Sequence, residues 1–180
     1  MQIVESKTIS GVFIANLTIH GDGRGSFRET FRKSWFPQRS WDNFQSNCSQ
    51  SKAGVLRGLH YHFHQVDYWY VPRGTIRAAL FDMRPNSPTY MATQTVDMGE
   101  ENDIGLFIPV GVAHGFATLT DATLMYIVDN YFDGSDEYGV AWNDPALGID
   151  WGLTDPVVSG RDQQNALYAD VSAENLPKPM

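Results

Sequence analysis

A chain of 180 residues suits one domain, or one domain with a short tail, and is long enough to bury a substantial core. Its 42% hydrophobic content, with 10 Phe, 8 Tyr and 5 Trp, excludes disorder, and its net charge of -8 argues against nucleic acid or an anionic membrane surface as partner. The single cysteine, Cys48, excludes an intrachain disulfide framework and fits a reducing compartment.

Short β-rich runs alternate with turns along the chain. Residues 11–18 form the first predicted strand, followed by the turn Gly21-Asp22-Gly23. Residues 26–35 read as a short helix, or equally as strand followed by turn. Further strands are predicted over 55–63, 68–71, 75–82, 90–96, 105–108, 115–119 and 123–128. Turn chemistry separates them, as in Pro72-Arg73-Gly74, Arg84-Pro85-Asn86-Ser87-Pro88 and Asp133-Gly134. Strands this short and this evenly spaced predict an all-β sandwich or barrel. After Trp151 the chain turns irregular and polar, so a single domain is expected over 1–170, with 171–180 a loosely held tail. No charged segment leads into an apolar one near the start, and no apolar run reaches the ~18 residues of a membrane span. The expectation is a soluble cytoplasmic protein.

The densest chemistry lies in Gly54-Val-Leu-Arg57-Gly-Leu-His60-Tyr-His62-Phe-His64-Gln65-Val-Asp67. In a strand, His60, His62 and His64 would share one face. About forty residues later comes a second element, bent by Pro and Gly: Ile108-Pro109-Val-Gly111-Val-Ala-His114-Gly115-Phe116. Imidazoles gathered on one strand face are a costly way to build a core and a sensible way to line a catalytic barrel.

These two elements resemble the double motif of the cupin superfamily, a small β-barrel. In the first motif, G-x5-H-x-H-x(3,4)-E-x6-G, Gly54, His60, His62 and Gly74 fall into place, and Asp67 stands where the superfamily has Glu. The second, G-x5-P-x-G-x2-H, is met by Pro109, Gly111 and His114, although Gly105 lies four residues before the proline instead of six. A narrower resemblance runs over residues 10–165, through Asp22-Gly-Arg24-Gly25-Ser-Phe27-Arg-Glu29, Phe44-Gln45-Ser-Asn47-Cys-Ser49 and Val55-Leu-Arg57-Gly-Leu-His60. It continues with Asp82-Met-Arg84, Ser87-Pro-Thr89, Pro109-x-Gly111-x-Ala-His114-Gly-Phe116 and Trp142-Asn-Asp144-Pro. In these phrases the chain resembles the dTDP-4-dehydrorhamnose 3,5-epimerase family, which uses the cupin barrel without a metal.

The resemblance implies a cupin-type barrel of two antiparallel sheets, an isomerase, a dTDP-sugar substrate, no cofactor and a homodimer. It also implies an N-terminal strand region exchanged between subunits. Epimerisation beside a ketone needs a base for a Cα proton, stabilisation of the enolate oxygen, and an acid on the opposite face. The family pattern implies His60 as the base, Asp162 polarising it, and a Tyr on the strand after the second His element as the acid. Tyr126 matches that position, with Tyr131 lining the pocket. Arg24 and Arg57 would grip the diphosphate, while Phe27, Glu29, Gln45 and Asn47 would shape the nucleotide and sugar pocket. His62 and His114 would face the substrate.

One departure is coupled. The family usually carries a Lys after the His strand and an Asp on the next strand; here Asp67 and Ala78 stand in their places, the connecting loop is about three residues shorter, and Gln65 is the polar substitute at hand. Two other readings therefore stay open. His60, His62, Asp67 and His114 would make the three-His, one-carboxylate shell of a metal-dependent cupin, an isomerase or oxygenase. A sugar-nucleotide binding protein without catalysis is the third. Bland roles compete at single residues as well. Asp162 would then cap a turn, Tyr126 and Tyr131 would be ordinary core tyrosines, and Arg24 and Arg57 would serve structural ion pairs. Tyr61, Phe63, Tyr68, Trp69 and Tyr70 read as barrel core and dimer interface, and Cys48 as packing.

Overall fold

The computed structural model describes residues 1–178. The strands are β1 (Gln2–Glu5), β2 (Phe13–Asn16), β3 (His20–Asp22), β4 (Gly25–Phe27), β5 (Gln45–Ser51), β6 (Val55–Tyr61) and β7 (Asp67–Arg73). They continue as β8 (Thr75–Asp82), β9 (Thr93–Gly99), β10 (Ile104–Ile108), β11 (Val112–Thr118), β12 (Ala122–Val128), β13 (Tyr138–Gly139) and β14 (Val157–Val158). Helical structure among the described residues is limited to single 3₁₀ turns. Residues 26–35 resolve into the end of β4 and the turn Lys33–Trp35, so the strand-then-turn reading of that segment is the one realised.

Two antiparallel sheets face each other. One has the order β1-β2-β10-β7-β12-β5; the other has β13-β6-β11-β8-β9, with β14 adding in parallel on β6. Between them lies a core that includes Trp69, Val71, Ile76, Ala78, Leu80, Val112, Phe116 and Leu124. Both outer faces are covered too. Residues from 140 onward pack Val140, Leu147 and Trp151 on the outside of β6, β8 and β11, while Phe36 and Trp41 cover Tyr68, Tyr70 and Phe107. This explains why β7 reads as nearly continuous hydrophobicity. Its odd members Trp69 and Val71 point inward and its even members Tyr68 and Tyr70 point outward, and every one is buried. Burial of such side chains stabilises the fold by roughly 1.5–3 kcal/mol each.

Two expectations are corrected here. Cys48 is exposed: β5 alternates half-buried Gln45, Asn47 and Ser49 with exposed Ser46, Cys48 and Gln50, and the outward side of this terminal strand has no cover within the chain. The segment from 171 is not loose as far as it is described. Tyr61 donates to the carbonyl of Asn175 at 2.6 Å, Leu176 packs on the outer core and Pro177 is buried; the rest of the expected tail, residues 179–180, lies outside the described residues. The phrase Asp82–Arg84–Ser87–Thr89 is structural. Asp82 is fully buried, and its carboxylate accepts from Arg84 Nε and Nη2 (2.7 and 2.8 Å), Ser87 (2.6 Å) and Thr89 (2.7 Å). Burial works to raise the Asp82 pKa, but these bonds outweigh it and hold the group below its usual 3.8.

Candidate active site

Between the sheets opens a cavity of about 520 Å³, lined by the inward residues of β5, β6, β7, β11 and β12 and by the turn after β12. Its floor depends on a close approach of two strands. Gly58 on β6 has φ +120°, and a Cβ there would sit 2.6 Å from Gly115 Cα and 2.9 Å from the His114 carbonyl oxygen. Only glycine tolerates both constraints. The pairing brings His60 directly opposite His114 in register, with an irregularity in the ladder between His114 and Phe116.

His60 lines the cavity, and its Nε2 lies 2.7 Å from Asp162 Oδ1. Asp162 opens the 3₁₀ turn Asp162–Gln164, is only 4% exposed, and takes the backbone N–H of Gly58 on its other oxygen at 3.2 Å. Burial would raise this carboxyl, yet the bonds from His60, Gly58 and Ser159 prevail and keep its pKa low. An ionised Asp162 fixes the proton of His60 on Nε2 and leaves Nδ1 as the basic nitrogen. Tyr126 enters from β12, in the opposite sheet, half-buried and lining the same cavity. Its hydroxyl makes no hydrogen bond within the chain among the described residues. Burial foremost, then the charges of Asp67 and Glu137, raises its pKa, so at neutral pH it stands ready to donate.

The histidine run does not stay on one face. β6 ends at Tyr61, and the carboxylate of Asp136 then captures the backbone N–H groups of Phe63 (2.7 Å) and His64 (3.0 Å), turning the chain. His62 stays in the cavity, donating Nδ1–H to the Asp136 carbonyl at 2.7 Å, while His64 is exposed and outside it. His114 is 5% exposed and donates Nδ1–H to the Val112 carbonyl at 2.9 Å. Burial pushes its pKa down to about 4, against the pull of Asp67. The 3.6 Å approach of His114 Nε2 to Asp67 Oδ2 is therefore not an ion pair but a neutral imidazole facing a carboxylate.

Of the remaining expected site residues, Gln45, Asn47, Arg57 and Gln65 line the cavity. Gln45 donates to Asn47 at 2.8 Å, and Arg57 donates to Ser51 at 3.1 Å. Tyr131 does not line it: the strand has ended, Tyr131 is 61% exposed, and its neighbour Phe132 lines the cavity instead. Arg24, Phe27 and Glu29 also lie outside. Arg24 pairs with Asp22, Phe27 is 66% exposed and Glu29 pairs with Arg32, all on or just past the β3–β4 hairpin that projects from the barrel. Trp69, assigned above to barrel core or dimer interface, lines the cavity and donates Nε1–H to Asp67 at 3.0 Å. Asp136, which shapes the loop, carried no sequence signal beyond its place in a turn.

Residues 6–170 match the family model described as dTDP-4-dehydrorhamnose 3,5-epimerase. The chain is 36% identical over 185 residues to the dTDP-4-dehydrorhamnose 3,5-epimerase of Neisseria gonorrhoeae, and the match covers 99% of the chain but only 56% of that relative. The chain thus spans little more than half the length of that protein. It also resembles the crystal structure of a dTDP-6-deoxy-D-glucose-3,5-epimerase from Legionella pneumophila Philadelphia 1 in complex with dTDP-4-keto-L-rhamnose. That TM-score is 0.92 at 32% identity, over 99% of this chain and 98% of the other. A 3'-monoepimerase from Streptomyces bikiniensis in complex with dTDP-quinovose gives a TM-score of 0.90 at 30% identity, over 98% of this chain and 93% of the other. The barrel and the motif order agree with a family model that spans nearly the whole chain, and on that footing the chain belongs to the dTDP-4-dehydrorhamnose 3,5-epimerase family.

Proposed function

We propose that this chain is a nucleotide-sugar epimerase acting on a dTDP-4-keto-6-deoxyhexose at C3, C5 or both, in deoxysugar biosynthesis. The observation that carries the reading is the pairing of His60, on one sheet, with Asp162, and the Tyr126 side chain across the cavity on the other sheet. His60 Nδ1 takes the proton from the carbon beside the C4 ketone, and the electron pair moves onto the ketone oxygen as an enolate. Tyr126 returns a proton to the opposite face, inverting the carbon. Asp162 holds the productive tautomer and stabilises the imidazolium. A positioned base and a positioned acid each contribute about 10²–10⁴ in rate, and nothing is oxidised or reduced overall.

Arg57, which lines the cavity, would meet the diphosphate, and Gln45 and Asn47, on the same wall, would meet the nucleotide and sugar. Arg24, Phe27 and Glu29, projecting from their own barrel, fit a role in a partner's cavity within a homodimer. The exposed outer faces of β5 and β12, with Cys48 and Met125, offer the apolar contact. No helix is long and apolar enough to cross a membrane among the described residues, which is compatible with a cytoplasmic enzyme. The test is mass spectrometry of dTDP-4-keto-6-deoxyglucose incubated with the enzyme in D2O. Two deuterons indicate a 3,5-epimerase, one a single-site epimerase, and none sinks the proposal.

A further inference from the structure

We propose that His62, Asp67 and His114 form a binding site for a divalent transition-metal ion in the cavity wall, where the family pattern has a lysine. This proposal departs from the metal-free expectation drawn from the resemblance. The ligand atoms of the three side chains lie within 4.8 Å of one another, and no other such group of histidine, cysteine or carboxylate is found among the described residues. Two histidines and one carboxylate are a donor set suited to zinc or ferrous iron, with open positions for water or substrate.

The hydrogen-bond pattern carries the argument. His62 and His114 each donate Nδ1–H to a backbone carbonyl, Asp136 and Val112 respectively, so both Nε2 atoms present lone pairs. That outer-shell arrangement is the one that orients metal-binding imidazoles. His114 Nε2 then faces Asp67 Oδ2 at 3.6 Å. The separation is too long for a hydrogen bond, yet close to the roughly 3.4 Å edge of a tetrahedron with bonds of about 2.1 Å.

Asp67 makes the need for a cation explicit. It is 4% exposed and receives Gln65 Nε2 on Oδ1 and Trp69 Nε1 on Oδ2, each at 3.0 Å, which fixes its orientation and leaves a lone pair on each oxygen. Among the described residues no Lys or Arg reaches it. Buried charges are paired or coordinate metals. His60 is not part of the shell, because its Nε2 is held by Asp162, so the four-ligand set read from the sequence reduces to three and the base stays free. Resting on the epimerase reading, the ion would take the place of the lost lysine as the positive charge beside the ketone oxygen. The proton still passes to His60, and the ion changes no oxidation state.

The test uses tag-free, EDTA-treated protein titrated with Co²⁺, followed by visible absorption and by elemental analysis after desalting. Binding is expected at one ion per chain with the absorption of a low-symmetry Co²⁺ site. Affinity should fall at least about 100-fold in His62→Asn, a half-buried position at the cavity rim, and in Asp67→Lys. Thermal melts identify any variant that fails to fold, and His62→Asn guards against a misfolded Asp67→Lys. Absence of Co²⁺ and Zn²⁺ binding to the parent, or binding unaltered in folded His62→Asn, overturns the site. Stoichiometric binding lost in His62→Asn upholds it even if no deuterium enters the sugar, an outcome that would instead remove the epimerase reading.

Discussion

Replacing Asp162 by Asn probes the dyad with almost no change of shape. The carboxylate accepts His60 Nε2–H at 2.7 Å and the Gly58 N–H at 3.2 Å, one on each oxygen. An amide has a single oxygen. If it keeps the buried Gly58 donor, its NH2 group faces His60 Nε2, which must then accept, and the imidazole proton moves to Nδ1. The nitrogen that should remove the Cα proton is thereby blocked. The same exchange in a Ser-His-Asp triad lowers kcat by about 10⁴ through the wrong tautomer, and the whole contribution of a general base is about 10²–10⁴. A fall in kcat of about 10³ is expected, equivalent to about 4 kcal/mol at 1.36 kcal/mol per decade. KM should barely move, because the affected interaction matters in the transition state. The assay is initial-rate kinetics together with solvent deuterium uptake, and thermal melting verifies that the variant is folded. A folded variant with kcat within about threefold of the parent would refute the assignment of His60 Nδ1 as the base, given the rate a base supplies.

Tyr126→Phe removes the acid and leaves the base. Its inversion rate should drop about 10²–10⁴-fold, while deuterium still washes into the substrate without inversion, since His60 can return what it removed; loss of both at once would contradict separate roles. Gly58→Ala places a Cβ 2.6 Å from Gly115 Cα at φ +120°, and should destabilise the fold by more than about 3 kcal/mol, measured by urea unfolding, with exchange lost. Asp82 gives a pH prediction. Its folded pKa is lowered from 3.8, so its contribution is fully present above that value and is lost as pH falls through the lower folded one. Asp82→Asn, which strands Arg84, should cost about 3–5 kcal/mol at neutral pH and flatten the stability-versus-pH curve below pH 3.8.

The barrel was legible because turn residues and alternating hydrophobicity are local signals. The strands over 75–82 and 123–128 match β8 and β12 to within a residue. β1 and β13 escaped notice, being four and two residues long and carried by pairing with neighbours rather than by their own pattern. The fate of the histidine run was not local either. A period of two predicts one face for His60, His62 and His64, but the strand ends where the Asp136 carboxylate, more than seventy residues away, binds the Phe63 and His64 amides. Tyr131 was misplaced although the end of β12 at Val128 was foreseen, because no local signal sets which way a residue beyond a strand end will point. Trp69 looked like core because its neighbours are; only the fold shows it reaching the cavity beside Asp67.

The cavity's charges tie these points together. Its wall carries Asp67, Asp133 and Glu137 against one arginine, Arg57. Glu137 is met by Arg161 at 2.7 Å and Asp133 is bonded to Ser135, which leaves Asp67 as the deep, uncompensated carboxylate. A diphosphate sugar and a developing enolate would enter this field against repulsion, and Ala78, lying in the core with Trp69, supplies no opposing group. Asp67 and Ala78 stand where the resemblance implies a Lys and an Asp, so among the described residues Arg57 is the one Lys or Arg lining the cavity. On the proposed readings, an ion at His62, Asp67 and His114 would deliver positive charge beside the ketone, and Arg24 of a second subunit would deliver it at the diphosphate. Because the two act at different ends of the substrate, they separate experimentally. Removing the ion should depress kcat, whereas Arg24→Ala, at a residue 91% exposed within its own subunit, should raise KM and leave the melting temperature unchanged. A fall in kcat alone from Arg24→Ala would detach the β3–β4 hairpin from diphosphate binding.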